Sequence, residues 1–199
     1  MVINNIIKCL VAGLVCLSLS GWIGTGTIIS SDGLVLTNHH VAPSQNEYYV
    51  YIGEKKYKAI FIKTYDKNDL SILKIIGYKG SCLSIAKYND NILFLLAFNP
   101  PGYLGAPVLY YDTTVSEYNQ SVTPAEDNLQ TVSTDFLSST AVVPGNSGSP
   151  ILNMNGEIVL VIWGAYMLGD VNHGDLAVPN EYVVEFTDGI TCKKPAKDP

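Results

Sequence analysis

The hydrophobic positions of this chain come in short runs, each closed by a turn signal. Thr27-Ile28-Ile29 and Leu34-Val35-Leu36 flank Ser30-Ser31-Asp32-Gly33, and Asp-Gly between apolar runs predicts a hairpin. Residues 48–52, 59–63 and 71–76 are rich in Tyr, Ile and Val, which favour extended, pleated surfaces. Residues 92–98 form a continuous apolar run ended by Asn99-Pro100-Pro101-Gly102, and residues 108–111, 129–132 and 139–143 continue the series. Ile151-Leu152 and residues 158–163 bracket Asn155-Gly156, a second hairpin turn, and residues 175–178 give one more short strand. Asn180 is placed to cap a brief helix carrying Tyr182, Val183 and Phe186. No long helical periodicity, repeat or low-complexity block is present. Many short strands with regular turns predict an all-β barrel or sandwich, divided near Asn99–Gly105 by the proline and glycine cluster and ending in a solvated tail.

Composition narrows the partners. The 199 residues are 47% hydrophobic and 15% charged, enough for a sizeable core in one domain or two small, closely packed barrels. The basic residues are 12 lysines with no arginine, against 18 acidic residues, for a net charge of −6. Nucleic acid is therefore not expected as a partner, because that binding rests on basic side chains neutralising phosphates. Residues 1–20 carry the single charge Lys8, an apolar run from Cys9 to Leu17, and the small residues Ser18 and Ser20. That pattern is a secretory signal peptide cleaved after Ser20, which predicts a secreted or periplasmic protein. The run is short of the roughly 20 residues of a membrane span, so membrane attachment is expected only if residues 6–20 stay as an anchor. Cys82 and Cys192 would remain in the mature chain, either paired or as two separate buried thiols.

The densest cluster of chemistry is Pro144-Gly145-Asn146-Ser147-Gly148-Ser149-Pro150. Glycine lets backbone approach closely and proline fixes entry and exit angles, so such a turn can hold a serine hydroxyl beside bare N–H groups, as acyl transfer needs. A tight serine-rich loop between strands would look the same. A serine hydroxyl needs a positioned base, and the chain has three histidines: His39 and His40 after the strand 34–36, and His173 in a Gly- and Asp-containing loop. The base in turn needs an acid to fix its tautomer. Asp69, at the start of Asp69-Leu70-Ser71-Ile72-Leu73-Lys74, and Asp66 both qualify, and spacing does not choose between them.

Taken together, Thr37-Asn38-x-His40-Val41, Asp69-Leu70-x-x-Leu73-Lys74 and Gly145-Asn146-Ser147-Gly148-Ser149-Pro150 resemble the chymotrypsin-like serine proteases, nearest the bacterial HtrA-type and glutamyl endopeptidase branches. The order His, Asp, Ser is the chymotrypsin order. The resemblance runs from about Gly24 to Val184. It implies two six-stranded antiparallel β-barrels, residues 21–99 with His40 and Asp69 and residues 100–188 with Ser147, then a brief helix and a tail over 189–199. It makes Ser147 the nucleophile, His40 the general base and Asp69 the orienting acid, with the Gly145 and Ser147 N–H groups as the oxyanion hole. No cofactor and no metal are implied, and the partner is a polypeptide substrate. Because His40 must be neutral, activity is expected to rise with pH through the histidine's titration.

The departures from the family are informative. Asn146 stands where the digestive branch has an aspartate that receives a newly cleaved N-terminus, so no zymogen switch of that kind is expected. Residues 158–163 with Gly164-Ala165 match the segment that pairs with substrate backbone, which makes Trp163 and Gly164 substrate-binding. Glutamyl endopeptidases have a histidine where this chain has Ile162. Ala141 and Val142 lie where the pocket floor begins, and neither is charged, so cleavage is expected after small or medium apolar residues. The family has one more strand before Gly24. Either the first barrel is short of it, or part of residues 10–20 stays and supplies it. HtrA-type proteases continue into a peptide-binding PDZ domain, and none is expected here.

The rival from another class is a catalytically silent, protease-like peptide-binding module. An α/β-hydrolase elbow fails because position 149 is serine and the acid and histidine should follow the nucleophile. A metal site at His39 and His40 lacks the His-Glu-x-x-His spacing.

Overall fold

Leu34-Val35-Leu36 shows no polar alternation because both of its faces are buried in the computed structural model of the protein. The structure describes residues 14–19, 22–44, 47–53, 55–86, 93–98, 107–112, 115–116, 135–137, 142–153 and 155–193. Six strands close a barrel in the order β1-β2-β3-β6-β5-β4: β1 (Leu14–Leu19), β2 (Trp22–Ile28), β3 (Leu34–Thr37), β4 (Tyr48–Ile52), β5 (Lys55–Tyr65) and β6 (Leu70–Ile75). The expected hairpin at Asp32-Gly33 joins β2 to β3. Gly33 takes φ 95°, which a glycine adopts without strain.

The barrel is not short of a strand. Of the two fates expected for the N-terminal stretch, the fold uses the second: β1 pairs antiparallel with β2, from Leu14 opposite Thr27 to Leu19 opposite Trp22. On its other edge β1 meets β4, from Cys16 opposite Tyr51 to Ser18 opposite Tyr49. Val15 and Leu17 are buried in the barrel core with Ile28, Val35, Tyr48, Val50, Leu73 and Ile75. A cut after Ser20 would remove this strand, so the leader boundary expected at residue 20 runs through the fold.

The second sheet has seven strands among the described residues, ordered β8-β7-β11-β12-β13-β10-β9, where a six-stranded barrel was expected. They are β7 (Leu93–Phe98), β8 (Pro107–Asp112), β9 (Val115–Ser116), β10 (Asp135–Leu137), β11 (Pro150–Leu152), β12 (Ile158–Leu168) and β13 (Val171–Val178). Because β7 belongs to this sheet, residues 93–98 lie with the second half rather than the first. The expected division at 99–105 and the expected strand at 129–132 fall outside the described residues.

Strand alternation explains how the two halves meet. Side chains point to opposite faces in turn: Val35 and Leu73 enter the barrel core, whereas Leu36 and Ile72 face the second half. There they pack with Ile29, Leu70, Leu83, Leu152, Ile158, Val161 and Val178, and with Val183 and Phe186 of the helix α1 (Asn180–Phe186). Asn180 does not cap this helix. It is the first helical residue, and its buried amide donates to the carbonyls of Ala86 and Val159 at 2.8 Å each. Lys63 of β5 donates to the Phe186 carbonyl at 2.5 Å, and Cys82 and Cys192 form a disulfide 110 residues apart in sequence. In the chain-entropy account, closing a loop of that length contributes about 4–5 kcal/mol. No helix of the described residues is long and apolar enough to cross a membrane.

Candidate active site

Asp69 follows a single 3-10 turn (Asp66–Asn68) and takes φ 51°, the one positive φ among the described non-glycine residues. Aspartate tolerates this region better than most residues. The kink turns the residue so that both of its ends grip the His40 loop. Its carbonyl accepts the His39 N–H and the buried Asn38 side-chain amide, both at 3.0 Å. Its carboxylate accepts the His40 N–H at 2.9 Å and faces His40 Nδ1 at 2.7 Å. An Nδ1–H donated to a shielded carboxylate leaves Nε2 as the accepting nitrogen. The His40 ring is about half exposed, while the Asp69 side chain is 12% exposed.

The other histidines and acids are elsewhere. His39 Nδ1 meets the Thr64 hydroxyl at 2.8 Å and lies 3.8 Å from the exposed Asp66, so Asp66 lies beside His39 and Asp69 beside His40. His39 and His40 turn to different partners rather than to a common point. His173 is exposed on β13.

The serine loop is held by its own turn and by the first barrel. The Asn146 N–H donates to the Val143 carbonyl at 3.0 Å, and the Asn146 Oδ1 accepts the Val143 N–H at 2.8 Å. The Ser149 N–H donates to the Asn146 carbonyl at 2.9 Å and the Gly148 N–H to that of Ile162 at 2.8 Å. From β2, the Thr25 N–H donates to the Ser147 carbonyl at 2.8 Å, and the Thr25 hydroxyl to the Gly145 carbonyl at 2.8 Å. Gly145 takes φ 99° and Gly148 φ 87°. A Cβ on Gly148 would stand 2.0 Å from the Thr25 carbonyl oxygen and 2.5 Å from the Thr37 hydroxyl. The loop thus packs on Thr37, three residues before His40. Neither the Gly145 nor the Ser147 N–H donates to an acceptor among the described residues. The Ser147 hydroxyl donates to the Trp163 carbonyl at 3.4 Å, and none of the described hydrogen bonds joins it to His40.

Trp163 sits at a register shift in β12, between Ile162 opposite Ala177 and Gly164 opposite Leu176. β11 pairs β12 only from Ile158 to Val161. Gly164 adjoins open space, since a Cβ there would meet nothing within 4 Å. Of the expected pocket residues, Ala141 lies outside the described residues. The Val142 N–H donates to Asp175 Oδ1 at 3.2 Å, and that oxygen also accepts the Asn172 amide at 3.0 Å. Asp175 is fully buried. Sequence reasoning found no acid beside the pocket floor and missed it, because only the β10-β13-β12 pairing brings position 175 to Val142. Thr25 was missed for the same reason, although its place between Gly24 and Gly26 in a buried strand marks a close backbone approach.

The trypsin-like peptidase domain family matches residues 24–159. A "Probable periplasmic serine endoprotease DegP-like" of Chlamydia trachomatis is 33% identical over 140 residues, 68% of this chain and 27% of that protein. A protein of the same description from Marinomonas sp. is 34% identical over 178 residues, 84% of this chain and 35% of that protein. The chain spans about a third or less of the length of these relatives. Among solved structures, the inactive form of the Rv3671c protease superposes with a TM-score of 0.77 at 22% identity, covering 95% of this chain and 94% of that one; the protease is from M. tuberculosis. At that identity the likeness is one of fold, an all-β double barrel with a short helix after the last strand.

Proposed function

Because the chain belongs to the trypsin-like peptidase family, we propose that it is a serine endopeptidase acting through Ser147, His40 and Asp69. One observation carries the reading: His40 is paired with Asp69, and on Thr37, three residues before His40, packs a loop whose Gly145 and Ser147 N–H groups have no acceptor among the described residues. Ser147 Oγ attacks the scissile carbonyl carbon while His40 Nε2 takes its proton. The carbonyl oxygen becomes an oxyanion stabilised by the two N–H groups, the imidazolium by Asp69. The tetrahedral adduct collapses, His40 gives the proton to the leaving amine, and an acyl ester remains on Ser147. Water, deprotonated by His40, attacks the ester, and the acid product leaves with Ser147 reprotonated.

Substrate is laid along the part of β12 beyond Ile162, the last residue whose backbone groups are taken by the serine loop, as an added strand beside Trp163 and Gly164. Cleavage after small or medium apolar residues is the preference that fits: Val142 is uncharged, and Asp175 is fully buried with Oδ1 already accepting two internal donors. The Asn146 side chain bonds within its own loop, which supports a site formed without a newly cleaved N-terminus. The relatives' description as periplasmic and the disulfide support an extracytoplasmic place for this protein.

Labelling with a fluorophosphonate tests the reading. The wild type should label and Ser147→Ala should not, with a rate loss on the order of 10⁴-fold or more on a peptide substrate. A peptide library should report cleavage after apolar residues, and a clear preference for Lys, Arg or Glu would overturn that part. The placement of the Ser147 hydroxyl on Trp163 rather than His40 favours a second reading, the silent peptide-binding module. A folded wild type that does not label supports that reading.

A further inference from the structure

We propose that Thr25, a residue of the first barrel, is the positioning residue of the oxyanion hole in the second half. The inference rests on the endopeptidase reading and extends it to a side chain that touches no substrate. Thr25 is fully buried, and each of its polar groups is used in one place. Its N–H holds the Ser147 carbonyl and its hydroxyl holds the Gly145 carbonyl, both at 2.8 Å. Its own carbonyl accepts the Thr37 hydroxyl at 2.7 Å and lies against Gly148, which has no room for a Cβ.

Peptide planarity turns these contacts into control of the hole. The Gly145 carbonyl and the Asn146 N–H belong to one rigid plane. That plane is held at both ends, by the Thr25 hydroxyl at the carbonyl and by the Val143 carbonyl at the N–H. The Val143 N–H is fixed as well, by Asn146 Oδ1. The Pro144–Gly145 peptide, which carries the Gly145 N–H, is bracketed by these fixed groups and has no described hydrogen bond of its own through that N–H. Glycine at φ 99° can rotate at low cost, so the direction of this donor depends on the neighbouring plane. Without the Thr25 hydroxyl, the Gly145 carbonyl loses its only described partner, and the plane, held then only at its Asn146 N–H end, can turn about that end and take the donor out of line. A hole donor contributes to rate only where it meets the developing oxyanion, so the loss should fall on kcat and leave KM unchanged.

The test compares Thr25→Val, which keeps the shape and loses the hydroxyl, with Thr25→Ser, which keeps the hydroxyl. On a peptide substrate Thr25→Val should lower kcat roughly 10- to 100-fold, up to the effect of an ångström-scale misplacement and below the roughly 100- to 1,000-fold of a donor lost outright, with KM within about 2-fold. Affinity for a peptide aldehyde, whose hemiacetal oxygen occupies the hole, should fall by a similar factor. Thr25→Ser should restore both to near the wild-type values. If Thr25→Val does not fold, Thr25→Ala removes the same hydroxyl and carries the comparison. Wild-type kcat in the hydroxyl-free variant, a loss confined to KM, or a Thr25→Ser variant as slow as Thr25→Val would each overturn the proposal. A wild type inert to fluorophosphonate would instead overturn the endopeptidase reading, so the two failures are distinguishable.

Discussion

Removing residues 1–20 should open the first barrel. The N-terminal stretch has the composition of a cleavable leader, yet Leu14–Leu19 lies between β2 and β4 and closes the ring. Val15 and Leu17 are 0% and 2% exposed. Burying one such side chain stabilises by about 1.5–3 kcal/mol, so losing both costs about 3–6 kcal/mol before any backbone term. Loss of β1 also strips β2 and β4 of a partner and leaves two open edges, each a template for association. Total stability of a domain is about 5–15 kcal/mol, so the loss is a large share of it. For a chain of this size it corresponds to roughly 6–24 °C in Tm. Thermal unfolding followed by circular dichroism, on a chain beginning at Gly21 beside one beginning at Leu10, measures the difference, and fluorophosphonate labelling reports the site. Protein recovered from outside the cytoplasm should still yield the peptide containing Leu14–Leu19 in mass spectrometry. Equal Tm and equal labelling for the chain beginning at Gly21 would refute the reasoning.

Two further outcomes follow from the serine loop. Gly148→Ala should lose labelling and destabilise the protein, because the new Cβ meets the Thr25 carbonyl at 2.0 Å and φ stays at 87°; left-handed strain and overpacking are each about 1–3 kcal/mol, and wild-type labelling with wild-type Tm would contradict this. Because Asn146 bonds within its own loop, extra residues ahead of the N-terminus should leave the labelling rate unchanged, and a protein silent until trimmed would show that an N-terminal switch operates after all.

What could be read from the sequence was local. The hairpin turns at Asp32-Gly33 and Asn155-Gly156 announce themselves because a positive φ selects glycine at a fixed offset. β3, apolar from Leu34 to Leu36, and β6, apolar apart from Ser71 and Lys74, could be placed as strands, though the reason their apolar residues fall on both faces, one core on each side, needed the structure. Residue type drew attention to the serine loop and to His39 and His40, but only the family resemblance singled out Ser147 and His40. The residues alone left Asp66 and Asp69 open, and the resemblance chose Asp69; the φ of 51° and the contacts with His40 that set it apart are visible only in the structure. β1 was not separable from a leader, since an apolar run ahead of a small-residue boundary satisfies both a translocation signal and a barrel strand. Position 180 misled for a related reason: asparagine favours a cap through its side-chain oxygen, but here Asn180 is already the first helical residue and its side-chain NH2 is turned to the carbonyls of Ala86 and Val159. Thr25 and Asp175 were silent because their roles arise from contacts distant in sequence, 120 residues in the case of Thr25 and Gly145.

The same long-range contacts decide where the stability of the candidate site resides. His40 and Asp69 are held within the first half, by bonds between the residue 38–40 loop and the start of β6. Ser147 and its neighbours are shaped partly within the second half, by Val143, Asn146 and Ile162, but the carbonyls of Gly145 and Ser147 are tied to β2 through Thr25. The interface beneath them is a single apolar core that draws Leu36 and Ile72 from one side and Val161, Val178 and Phe186 from the other. A disturbance that lets the two halves shift therefore reaches the Gly145 and Ser147 N–H groups before it unfolds either sheet. β2 is the element through which it would travel, since that strand pairs with β1 along one edge and carries Thr25. On this account the N-terminal strand and the nucleophile loop are linked across one strand, and loss of the first should appear as loss of the second.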